Sequence, residues 1–225
     1  MKKRRIFRNL NDKEFAWVLY DVGNSAYTML ACALIPIWFK AMAIGTKPGQ
    51  LTSDRATAYY SMAIAVITIV VALLGPVCGA ISDYKGMKKI FFTSTVAVGV
   101  CGCILNGFAC QWIVFLLLFA ATKIFYNMSL MFYDSMLNDI TTEERMDEVS
   151  SYGYAWGYLG SCIPFLIALV AYVLGPDMAG IISGKLSMAI GFAVTGLWWL
   201  LVTVPLIKNY KQINYVEKKE HAVRS

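Results

Sequence analysis

Charge is scarce in this chain. Only 15% of its 225 residues are Asp, Glu, Lys or Arg, while 58% are hydrophobic. An ordinary soluble domain carries about 25% charged residues, so that class is excluded. Histidine is nearly absent, with His221 alone near the C-terminal end, and neither H-E-x-x-H nor G-x-S-x-G occurs. Hydrolytic chemistry therefore has little to stand on, and no cofactor is called for. No C-x-x-C pair is present; Cys32, Cys78, Cys101, Cys103, Cys110 and Cys162 lie in or beside apolar runs. They read as small packing residues, not as disulfides or metal ligands. The formal charge of +6 comes with no basic stripe interleaved with aromatics, so a nucleic-acid partner is not expected.

What the chain does have is a series of apolar runs, each long enough to cross about 30 Å of hydrocarbon. Six helical spans are expected, at 15–40, 57–82, 89–108, 111–137, 149–174 and 185–207, because a lipid-exposed backbone must satisfy its own hydrogen bonds. Met1 to Arg5 resembles the basic region of a signal peptide. The run from Phe15 to Phe39 is too long for a cleaved signal and contains Asp21 and Asn24, which makes it a retained first span. Ile6, Phe7 and Leu10 either rest on the membrane surface or belong to a solvated tail. Trp17, Trp38, Tyr59, Tyr60, Trp112, Tyr172 and Trp198 fall near span ends, where aromatics favour the interface. With both termini on the cytoplasmic side, fifteen Lys and Arg lie inside and four outside, leaving Lys123 within the membrane. That bias sets the expected orientation.

Several polar residues sit where lipid does not tolerate them idly. Asp21, Asn24, Ser25 and Thr28 are spaced to share one face of the first helix. In the fourth, Lys123, Asn127 and Asp134 fall within about 40° of one another, with Tyr126 beside them. Intramembrane ionisable groups mark pathways by default. Helical rise puts Asp21 about 9 Å and Lys123 about 21 Å from the inner ends of their spans, so a direct bond between them is strained by depth. The fifth span carries Gly153, Gly157 and Ser161 at four-residue spacing, a small-residue ridge for close helix packing. Pro164 beyond it is expected to loosen or kink the helix.

The organising stretch runs from Gly75 through Pro76, Gly79, Asp83, Tyr84, Lys85, Gly86, Met87 and Lys88 to Lys89. It resembles the signature loop between the second and third helices of major facilitator superfamily transporters. Gly79, Asp83, Gly86 and Lys88 fall in register, while Tyr84 and Met87 stand where a basic residue is usual. The segment from Trp17 to Tyr27, together with Tyr126-Asn127, Asp83 to Gly86 and Ser150 to Tyr154, resembles the autophagy-related vacuolar amino-acid effluxers, a facilitator branch. Within that branch only Met87 still departs.

The resemblance implies an all-α membrane protein: a six-transmembrane-helix bundle, the N-terminal half of a major facilitator fold built as two inverted groups of three. Residues 1–14 are then a basic cytoplasmic N-terminus, 15–207 the bundle and 208–225 a cytoplasmic linker. The resemblance also implies that the first and fourth helices line a central cavity. The expected partners are the bilayer, a small-molecule substrate and a C-terminal six-helix half. The expected function is secondary transport, with amino acids as candidate cargo and the bacterial cytoplasmic membrane as the location. Asp21 is the candidate coupling carboxylate, and Asn24, Ser25, Thr28, Lys123, Tyr126 and Asn127 are candidate contacts for substrate or coupling ion. Asp83, Gly86, Lys88 and Lys89 would form the gating loop with Gly79. A zwitterionic solute would suit an anionic and a cationic wall together. The alternatives are a membrane adaptor that transports nothing and, with less to support it, an intramembrane enzyme.

Overall fold

The computed structural model describes residues 9–176 and 178–217. The expectations for the basic N-terminal residues 1–8, including Ile6 and Phe7, and for the tail 218–225 lie outside the described residues. Six long helices make up the fold: α1 (Asp12–Ala43), α2 (Ser53–Ser82), α3 (Met87–Asn106), α4 (Trp112–Ile140), α5 (Met146–Val173) and α6 (Gly184–Asn209), with a 3₁₀ turn at Glu143–Arg145 before α5. Each is long and apolar enough to cross a membrane. Against the expected limits, α1 and α4 each run three residues further and α6 two.

Local chemistry sets the helix starts. Asn11 and Glu14 form a reciprocal capping box, in which Asn11 Oδ1 accepts from the Lys13 and Glu14 amides at 2.9 Å. Glu14 Oε2 accepts from the Asn11 amide at 2.8 Å, so orphan donors at the helix start find partners. Ser183 and Thr52 cap α6 and α2 through their hydroxyls. Gly86 turns the chain between α2 and α3 with φ of 77°, a conformation that favours glycine. Pro164 lies inside a continuous α5, which runs through it without a break.

α1 is the hub. It packs chiefly on α5 and α6 and also touches α4, while α3 packs on α4 and α6. Tyr27, Tyr126 and Trp199 meet at the centre, with ring centroids 4.9 to 5.8 Å apart. Aromatic groups at such spacing attract beyond simple burial. Trp17 and Trp38, expected at an interface, are instead buried core residues. Trp17 stacks on Tyr133, and Trp38 packs against Phe192. Leu10 is likewise part of the core. All six cysteines are free; Cys103 is buried, whereas Cys32, Cys101, Cys110 and Cys162 are exposed and pack little.

α2 is peripheral. Met62, Val66, Ile69, Leu73 and Val77 form an exposed apolar stripe along it, and Leu159, Ile163, Leu166 and Val170 form another on α5. In water such stripes would aggregate. In a membrane they can face acyl chains or further helices.

Candidate functional site

The antiparallel register of α1 and α4 is fixed by three contacts. Trp17 Nε1 donates to the Tyr133 carbonyl at 3.1 Å. Tyr20 and Ser129 share a hydroxyl hydrogen bond of 2.8 Å, and Thr28 is bonded to the Tyr126 hydroxyl. This zipper leaves the polar face of α1 turned into a cavity of about 320 Å³, lined by Asp21, Asn24, Ser25 and Thr28. α4 adds Tyr133 and Asp134, and α5 adds Ser150, Tyr154 and Tyr158. Asn24 Nδ2 donates to Asp21 Oδ1 at 3.0 Å.

The small-residue ridge of α5 lies directly under this face. A methyl group added at Gly157 would come within 3.0 Å of Asp21 Oδ2 and Ser25 Oγ, and one at Gly153 within 2.9 Å of Trp17. Ser161 is fully buried and donates to Met29 Sδ at 3.1 Å. The ridge therefore holds α5 against the candidate carboxylate. Gly79 on α2 is its opposite, because nothing lies within 4 Å of an added methyl there. Gly157→Ala is expected to cost about 1–3 kcal/mol by overpacking. Gly79→Ala should leave stability unchanged or raise it by up to about 1 kcal/mol through helix propensity. Thermal unfolding of the two variants side by side checks the contrast.

Lys123 is not among the residues that line the cavity. Its Nζ lies 4.5 Å from the Tyr126 ring centroid and 5.7 Å from that of Tyr27, where the π-faces attract a cation. It forms no ion pair with Asp21, in line with the depth difference. Tyr126 is buried and held by Thr28, while Asn127 is half-buried beside them. The sequence-selected residues thus divide into a carboxylate cavity and, one or two turns away, an aromatic-seated cation.

The gating-loop residues meet a partner that sequence reasoning missed. Lys88 is buried and sits between two carboxylates, 3.7 Å from Asp83 and 3.8 Å from Asp139. It also donates to the Ser135 carbonyl at 3.4 Å. Asp139 falls in what the sequence suggested was a connection, but it is the penultimate residue of α4 and is buried. Its carboxylate accepts from the Ile213 amide at 3.2 Å and the Asn214 amide at 2.8 Å. It also accepts from Asn214 Nδ2 and the Tyr210 hydroxyl. Burial and that donation hold the Tyr210 phenol above its usual pKa.

Segment 210–217 accordingly folds back over the signature loop. The Val216 amide donates to the Asp83 carbonyl at 2.8 Å. Gln212 Nε2 reaches the Ser82 carbonyl, Lys89 reaches that of Tyr210, and Lys85 lies over the Tyr215 ring. Beside this latch, buried Glu14 joins the start of α1 to Thr141 at 2.7 Å and to Arg145 at 3.3 Å. In the sequence the only signals for these groups were acidic residues close to span ends.

Six membrane-length helices, a signature turn and a polar cavity shared by α1, α4 and α5 make up an all-helical bundle of the facilitator fold class. The family described as "Vacuole effluxer Atg22 like" matches over residues 138–222. An uncharacterized MFS-type transporter, YxiO of Bacillus subtilis (strain 168), is 35% identical over 221 residues, which is 97% of this chain and 51% of the relative. The chain is similar to the Atg22-like branch of the major facilitator superfamily, and it spans about half the length of the curated relative it matches. No solved structure matches significantly.

Proposed function

We propose that the chain is one half of a secondary active transporter that moves a small solute across a membrane by alternating access. The observation that carries this reading is the cavity holding Asp21, Asn24, Ser25 and Thr28. A carboxylate at membrane depth is costly unless it faces water, a partner or cargo. Asp21 serves as the coupling or cargo-binding carboxylate, and the family resemblance makes amino acids and their derivatives the candidate cargo. The activity is transport, not catalysis. The second half is a C-terminal six-helix bundle, in the same longer chain or supplied separately; the open face at Gly79 and the apolar stripes on α2 and α5 are surfaces it would cover. Both termini lie in the cytoplasm, and the membrane is the bacterial cytoplasmic membrane. On this reading residues 1–14 and 208–225 flank the 15–207 bundle on the cytoplasmic side, and the latch of Asp83, Lys88 and Asp139 belongs to the inner gate.

Proteoliposomes test the reading. The chain alone, and the chain co-expressed with the second half of the Bacillus relative, are loaded with labelled amino acids and amines. Flux only in the paired sample supports a transporter half. Absence of flux from the assembled pair for every labelled solute overturns it.

A further inference from the structure

The cavity contains more negative charge than the sequence reading assigned to it. Asp134 lines it together with Asp21, and the two come from different helices. Among the described residues neither carboxylate has an ion-pair partner, and Asp21 has the Asn24 amide as its hydrogen-bond donor. The cation expected to balance them, Lys123, is seated over the Tyr126 and Tyr27 rings and does not line the space. Tyr133 lines the same cavity and is only 3% exposed, and its buried hydroxyl has no hydrogen-bond partner among the described residues. Such a group is normally satisfied, and an unsatisfied one is costly.

From this arrangement we infer that the cavity binds a small organic solute of net positive charge, its ammonium group held between Asp21 and Asp134. The inference rests on the transport reading for its biological sense but concerns the chemistry of the site alone. Size favours an organic occupant over a bare inorganic ion. About 320 Å³ is the scale of a small-molecule site, whereas a dehydrated cation needs a tight shell of oxygens at about 2.3–2.6 Å. The Trp17–Tyr133 stack and the faces of Tyr154 and Tyr158 offer apolar and π surface to the carbon skeleton and to the cation. A zwitterion fits less well. Its own carboxylate would enter a space lined by two carboxylates and no cation, where like charges repel.

A matched pair of probes separates the two cases. The chain is placed in phosphatidylcholine nanodiscs, and its thermal unfolding is followed with increasing 1,4-diaminobutane, 4-aminobutanoate or sodium chloride. Ligand that binds the folded state raises the midpoint. The expected result is stabilisation by 1,4-diaminobutane at concentrations at least tenfold lower than 4-aminobutanoate requires, with the difference lost in Asp134→Asn and in Asp21→Asn. Equal stabilisation by the zwitterion overturns the inference. So does an equal effect of sodium chloride, an unchanged preference in both variants, or no effect of the diamine on the wild-type chain. Binding is read here without flux. A diamine preference in a pair that transports nothing would therefore sink the transport reading and leave this one standing, and the converse result would do the reverse.

Discussion

Replacing Asp139 with alanine is expected to release segment 210–217 and to destabilise the chain by about 3 kcal/mol, the scale for removing one partner of a buried ion pair. The effect is large because this one carboxylate serves several groups at once. It faces buried Lys88 at 3.8 Å and accepts from the Ile213 and Asn214 amides, the Asn214 side chain and the Tyr210 hydroxyl. With it gone, Lys88 would keep only the largely exposed Asp83 as a counter-charge. Asp139→Asn should cost less than the alanine change, because the amide oxygen still accepts from the Ile213 and Asn214 amides, although the amide nitrogen no longer accepts from Tyr210 or balances Lys88. The measurement pairs thermal unfolding with limited proteolysis of the 210–217 region. A midpoint and cleavage pattern in the alanine variant indistinguishable from the wild type would show that the latch contributes nothing.

Asp21→Asn should lower solute flux through the assembled transporter about 10- to 100-fold, in keeping with a lost charge-assisted hydrogen bond of about 1.5–3 kcal/mol. Folding should survive. The substitution is isosteric above Gly157, and the Asn24 amide can still donate to the remaining oxygen. Flux measured across a pH range then separates two roles. If Asp21 carries the coupling charge, the asparagine variant loses the pH dependence together with the rate. If it only orients cargo, the rate falls and the profile keeps its shape. A variant with undiminished flux and an unchanged profile would remove Asp21 from both roles.

The helices were legible because their apolar runs exceed what a soluble core needs, and because lysine and arginine punctuate their ends. Asp21, Asn24, Ser25 and Thr28 could be placed on one face from a single helical period, and the structure brings all four to one cavity. Other features depended on pairings that no local pattern encodes. Lys123 looked like a cavity cation because its depth was central, but depth does not reveal that two tyrosine rings already hold it. Asp139 was hidden by its place at a helix end, where an acidic residue is normally solvated; its importance comes from donors 71 to 75 residues away. Trp17 and Trp38 misled for the converse reason, since position near a span end suggested lipid headgroups while packing gave them to the core.

The ridge beneath Asp21 also bears on how the bundle can move. Val149, Gly153, Gly157 and Ser161 follow one another at four-residue intervals along α5. A slip of one turn, about 5.4 Å, would carry either Ser161 or Val149 toward the place of a glycine. In the first sense Ser161 reaches the place of Gly157, where an added methyl already lies 3.0 Å from Asp21 Oδ2 and Ser25 Oγ. In the second, Val149 reaches the place of Gly153, where an added methyl already lies 2.9 Å from the Trp17 ring. Either slip brings a side chain into a place where even a methyl group is crowded, so the ridge holds α1 and α5 in a single register.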